Sequence, residues 1–167
     1  MSDLDKDLEV YKQSCEDHRF YGDMRFKQLT LWSVGIGFAL NFLYGKEGQL
    51  LTVHQRGIWY VAAFFWTAVI WVMEVRSTVH GVRGMSSRNR FSADRDLPNK
   101  WTHLIATNSV AILYAASCLA CAVQLARLWG PSTVTVWVVW LVLSILVAFT
   151  VREYWPLLKH AIQEGSF

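Results

Sequence analysis

Charge is scarce in this sequence: Asp, Glu, Lys and Arg supply 17% of its 167 residues, while 53% are hydrophobic. An ordinary soluble domain carries about 25% charged residues, so this balance excludes that class and points to lipid as the natural solvent. Cysteine is limited to Cys15, Cys118 and Cys121, an odd number with none in a segment expected on the outer side of a membrane, which excludes a disulfide framework. Proline is nearly absent, with three residues in all and none within 1–28. The polar start, Ser2-Asp3-Leu4-Asp5-Lys6-Asp7, has no apolar run leading to a small-residue cleavage site, so the first span is expected to act as its own insertion signal. No interleaved basic and aromatic motif is present, and no nucleic-acid partner is expected. Nor is there a paired acid and base, a metal-ligand cluster or a nucleotide loop, so neither enzymatic activity nor a cofactor is expected.

What the chain does have is four apolar stretches, at residues 29–45, 57–75, 103–126 and 133–151. Each is close to the ~20 residues that cross a ~30 Å hydrocarbon layer as a helix. The mean hydropathy of +0.24 averages these stretches with a charged amino-terminal segment and a basic central loop. The second stretch holds Trp59, Tyr60, Trp66 and Trp71, the aromatic anchors of a membrane span. Between the third and fourth, Trp129-Gly130-Pro131-Ser132 punctuates a tight hairpin. The expected fold is all-α: an integral membrane four-helix bundle whose amino-terminal helix extends directly into the first span.

Lys and Arg number five before the first stretch, two in the next connection, six in the third segment, one in the fourth and two after the last. Under the positive-inside rule this alternation predicts a multi-pass protein with both termini cytoplasmic. The division that follows is a cytoplasmic amphipathic helix at 1–28, a transmembrane domain at 29–151 with a basic cytoplasmic loop at 76–102, and a cytoplasmic tail at 152–167. Ser2 and Asp5 have capping-box spacing, and Leu4, Leu8, Tyr11, Cys15 and His18 make a narrow stripe suited to a partner helix. The segment 81–99 reads as a mobile loop because it is rich in Gly, Ser, Asn and Arg. A short surface helix is expected at 157–163, after Pro156.

Polar residues inside a bilayer are costly unless they meet partners or water. His103, Thr107, Tyr114, Ser117, Cys121 and Gln124 recur at steps of 4, 7, 3, 4 and 3, on one face of the third span. Ser33, Gly37, Asn41 and Tyr44 repeat the theme in the first. These stripes suit either interhelical contact or the lining of a pore. Arg83, Arg88, Arg90 and Arg95 can grip anionic lipid headgroups or a phosphate-bearing ligand, besides setting topology. Glu74 with Arg76 is expected to form a structural ion pair at headgroup level.

Cys118 and Cys121 form a Cys-x-x-Cys pair, but membrane thiol oxidoreductases need a second pair, which is missing. The only candidates for a bis-histidine haem, His80 and His103, sit at the cytoplasmic boundary of the apolar spans and not within them. The Arg-to-His spacings do not match those of small helical nucleases.

The run from Asp17 through His18-Arg19-Phe20-Tyr21-Gly22-Asp23-Met24-Arg25 to Thr30, with Trp71-Val72-Met73-Glu74-Val75-Arg76, resembles a pattern in small bacterial inner-membrane proteins of several spans. Some proteins of that build are membrane effectors or accessories in anti-phage systems, where oligomers disturb the membrane. The polar helix faces, taken with that resemblance, predict a homo-oligomeric bacterial inner-membrane protein whose helices assemble around an ion-conducting or membrane-permeabilising pore. The other reading is a non-conducting scaffold that recruits a cytoplasmic partner through residues 1–28 and the loop 76–102.

Overall fold

In the computed structural model the backbone is described for residues 3–91 and 100–163, with side chains over most of 5–80 and 109–156. Four helices account for nearly all of it: α1 (Asp3–Tyr44), α2 (Val53–Phe91), α3 (Lys100–Trp129) and α4 (Val134–Gln163). Among the described residues there is no strand.

α1 is one continuous helix of 42 residues, about 63 Å at 1.5 Å per residue, so the amino-terminal segment and the first apolar stretch form a single rod, as the sequence predicts. It ends where the Gly45 N–H donates to the Asn41 carbonyl at 2.8 Å. A 3₁₀ turn at Glu47–Leu50 follows, clamped by Arg56 Nη2 donating to the Gly48 carbonyl at 2.9 Å. Gly48 is buried on the carbonyls of Phe42 and Leu43, where a Cβ has no room. Thr52 and Gln55 then start α2 as a capping box: the Gln55 N–H donates to Thr52 Oγ1 at 3.3 Å, and the Thr52 N–H to Gln55 Oε1 at 2.9 Å. At the other hairpin, α3 stops at Trp129 because Gly130 turns left-handed, with φ +80, the glycine stop expected from the sequence.

Two expectations about connections fail. α2 stays helical to Phe91, so the first part of the supposed 81–99 loop is helix. Gly and Ser lower helix propensity by roughly a kcal/mol or less each, which does not end a helix, and the first residue able to break this one is Pro98. α4 likewise runs through Pro156 to Gln163 instead of restarting after it. A proline removes one intrahelical donor and crowds one carbonyl, and the helix continues on both sides.

α2 is the centre of the packing, in contact with α1, α3 and α4. Its buried Ala63, Phe64, Ala68, Ile70, Trp71 and Val75 meet Ala111, Tyr114, Cys118, Ala122 and Leu125 of α3 and Val136, Val139, Leu143 and Leu146 of α4. Small side chains at these contacts let the backbones close on each other; Cys118 Sγ lies 3.9 Å from the Phe64 carbonyl. Gly57 admits the Trp129 ring directly against the α2 backbone. By length and composition, three described stretches can cross a membrane: Val53–His80, Ser109–Trp129 and Val134–Pro156. The outward sides of α3 and α4 are apolar, with Ile112, Leu119, Trp137, Leu141 and Ile145 exposed. α1 is not among the three.

Candidate functional site

α1 lies antiparallel to α2 in a register that four side-chain contacts mark out. Tyr44 and Tyr60 share a hydrogen bond of 2.7 Å between hydroxyls, and Trp32 Nε1 donates to Thr67 Oγ1 at 3.2 Å. Gln28 Nε2 donates to Ser77 Oγ at 3.1 Å, and Tyr21 stacks on His80 with ring centroids 5.4 Å apart. Arg25, one turn before Gln28, therefore falls opposite Glu74.

Glu74 is fully buried, and Arg25 is 28% exposed. Arg25 Nε donates to Glu74 Oε1 at 2.7 Å, and its Nη2 lies 2.6 Å from the same oxygen. Thr78 Oγ1 adds a third donor to that oxygen at 3.3 Å. The expected Glu74–Arg76 pair does not form: Arg76 is exposed, since residues two apart on a helix point in different directions. The Glu74 carboxylate instead crosses to another helix, inside the candidate span Val53–His80. A buried charge at that depth requires both a counter-charge and hydrogen bonds.

The same layer draws on the other two helices. Tyr114 of α3 is fully buried, meets Trp32 edge-on at 5.2 Å between centroids, and lies within electrostatic reach of Glu74 and Arg25. Tyr154 of α4 is beside Thr78 and within reach of the same pair, and its buried hydroxyl has no well-formed hydrogen bond among the described residues. Four buried helices' worth of polar groups thus meet around one carboxylate, with Ser77 anchored by its own bond to the Met73 carbonyl at 2.9 Å. The signal in the sequence is the pair of runs Arg25-Gln28-Trp32 and Thr67-Trp71-Glu74-Thr78. Each has steps of three or four, and the two become complementary only when the helices run antiparallel.

The residues singled out from the sequence fall in separate places. Tyr114 and Cys121 are buried, while Ser117 and Gln124 are half-buried at the edge of the α3 interface. Ser33 and Asn41 are exposed on the side of α1 that faces away from α2. Among the described residues the two polar stripes therefore do not meet within one chain. Ser33 Oγ satisfies itself on the Leu29 carbonyl at 2.6 Å, and Ser117 Oγ does so on Leu113 at 2.9 Å. Asn41 has no side-chain hydrogen bond among the described residues. The side chains of His103, Thr107, Arg83, Arg88, Arg90 and Arg95 lie outside the described residues. Among the described residues no group of His, Cys, Asp and Glu is placed to hold a metal ion. In comparison with known proteins, the chain matches no family model, no curated protein and no solved structure.

Proposed function

We propose that this protein is a homo-oligomeric membrane protein in which α1 crosses the bilayer beside α2 and, with its copies, lines a central polar path for ions. The observation that carries this reading is a strip of small and polar residues on the outward side of α1. Thr30, Ser33, Gly37 and Asn41 are exposed there beside the apolar Leu31, Val34, Phe38 and Leu40, whereas the exposed side chains of α3 and α4 are mostly apolar. Such a strip is costly toward lipid, and the Ser33-x-x-x-Gly37 spacing favours close approach of another helix. Hydrogen bonds between α1 and α2 extend from Gln28 to Tyr44, so α1 accompanies the α2 span along its length. The Lys and Arg distribution over the connections supports cytoplasmic termini.

The test is ion flux through purified protein in liposomes. Asn41→Leu is expected to reduce flux without unfolding the protein, because Asn41 makes no side-chain contact that the fold uses. Absence of flux in every condition, together with a monomer in detergent and nanodiscs, refutes the reading.

A second reading, a scaffold for a cytoplasmic partner, is favoured by the amino-terminal half of α1, where Leu8, Val10 and Phe20 are about half exposed or more. Co-purification of one stoichiometric partner from mild detergent, with no flux, would select it.

A further inference from the structure

The polar layer around Glu74 is only half satisfied by protein. Glu74 Oε2, Gln28 Oε1, the hydroxyls of Tyr114 and Tyr154, and Trp71 Nε1 are all buried and find no well-formed hydrogen bond among the described residues. These five atoms belong to one layer. Trp71, Glu74, Ser77 and Thr78 occupy two successive turns of α2, Gln28 is bonded to Ser77, Tyr154 is beside Thr78, and Tyr114 packs edge-on against Trp32, one turn after Gln28 on α1. Unpartnered buried polar atoms are rare in folded proteins, and several in one place mark a bound polar species.

The chemistry of the five atoms narrows what that species is. Arg25 already neutralises Glu74, so a further cation meets no net negative charge and an anion meets the second carboxylate oxygen. Two of the atoms are acceptors, two are hydroxyls that both donate and accept, and one is a donor. The complementary ligand is a small neutral molecule that both donates and accepts. We propose that this layer is an internal water-binding site. Water molecules bridge Glu74 Oε2 and Gln28 Oε1 to the Tyr114 and Tyr154 hydroxyls, and exchange with solution past Arg25. Arg25 is 28% exposed, while Gln28, Ser77 and Thr78 are exposed by 4%, 4% and 2% and Tyr114 is fully buried. The inference stands apart from the pore proposal, since the site lies within one subunit.

Hydroxyl-radical labelling by X-ray radiolysis tests it, because the radicals form from water held next to a side chain. In the whole protein in nanodiscs, Tyr114 is expected to be labelled several-fold faster than Phe64, which is equally buried but sits among apolar neighbours. Labelling of Tyr114 at the Phe64 rate overturns the proposal. Tyr114→Phe and Tyr154→Phe keep the ring and remove only the hydroxyl, so both variants fold. Each is expected to melt below the parent, because a water-bonded hydroxyl contributes and a dry one does not. Melting at or above the parent temperature in both variants overturns the proposal as well.

Discussion

Removing Arg25 is the most informative perturbation of this fold, because its partner has no other way out of the interior. Glu74 is fully buried, whereas Arg25 keeps 28% of its side chain exposed. In Arg25→Met the carboxylate stays behind without its two guanidinium contacts at 2.7 and 2.6 Å, and an uncompensated buried charge costs about 3–5 kcal/mol. In Glu74→Leu the orphan is Arg25, which already touches solvent and can rehydrate, so the expected cost is closer to the roughly 1–3 kcal/mol of a lost charged hydrogen bond. The double variant carries no stranded charge. Replacement of a buried pair by apolar residues of similar volume is often neutral, so the double variant is expected near the parent. Thermal unfolding of the four proteins in nanodiscs reads all of this, at about 2–4 °C per kcal/mol for a chain of this length. The expected order of melting temperature is parent and double variant highest, Glu74→Leu next, Arg25→Met lowest. If Arg25→Met melts no lower than Glu74→Leu, or if the double variant loses as much as the two singles combined, the account of the pair is wrong.

Gly57→Ala drives a methyl into the Trp129 ring, which stacks on His54 at 5.6 Å between centroids; a loss of about 1–3 kcal/mol is expected in the same unfolding assay. Gly37→Leu meets nothing within the chain, since a Cβ there has open space around it. Its unfolding is expected to match the parent, and on the proposed pore reading it lowers the assembly size on a sizing column; a variant that assembles as the parent does would remove α1 as the subunit contact. Thr52→Ala deletes the capping box of α2 and is expected to cost about 1 kcal/mol. Tyr60→Phe breaks the 2.7 Å bond to Tyr44, with an expected loss of about 0.5–1.5 kcal/mol.

Helix identity was legible where apolar runs and strong punctuation coincide. The continuous α1 and the Gly130 turn between α3 and α4 are read directly from 1–45 and 129–132. Connections were less legible, because Gly81, Gly84 and the Ser86-Ser87 pair suggest a loop by composition while carrying no steric veto on helix. Pro156 misleads in the same sense: it looks like a stop, but the helix needs only to give up one hydrogen bond there. The Thr52-x-x-Gln55 signature was available in the sequence as a helix start and sets α2 four residues earlier than the apolar run alone suggests. The Glu74 layer was hidden for a different reason. Its partner lies 49 positions away, and local adjacency favours Arg76, which shares no face with Glu74. Only the antiparallel register of α1 and α2 brings Arg25 within reach, and that register is a property of packing. On the third span Tyr114 and Cys121 share a buried side, and that side packs in the core with α2.

The unbroken length of α1 has a mechanical meaning. About 33 Å of helix precede Arg25 and about 29 Å follow it to Tyr44, so the buried pair sits near the midpoint of a stiff rod, like the fulcrum of a balance. One arm is seated along α2 by Trp32, Gln28 and Tyr44; the other carries largely exposed side chains. A load near residue 8 therefore reaches the Arg25–Glu74 pair through the same unbroken rod that carries Ser33 and Asn41.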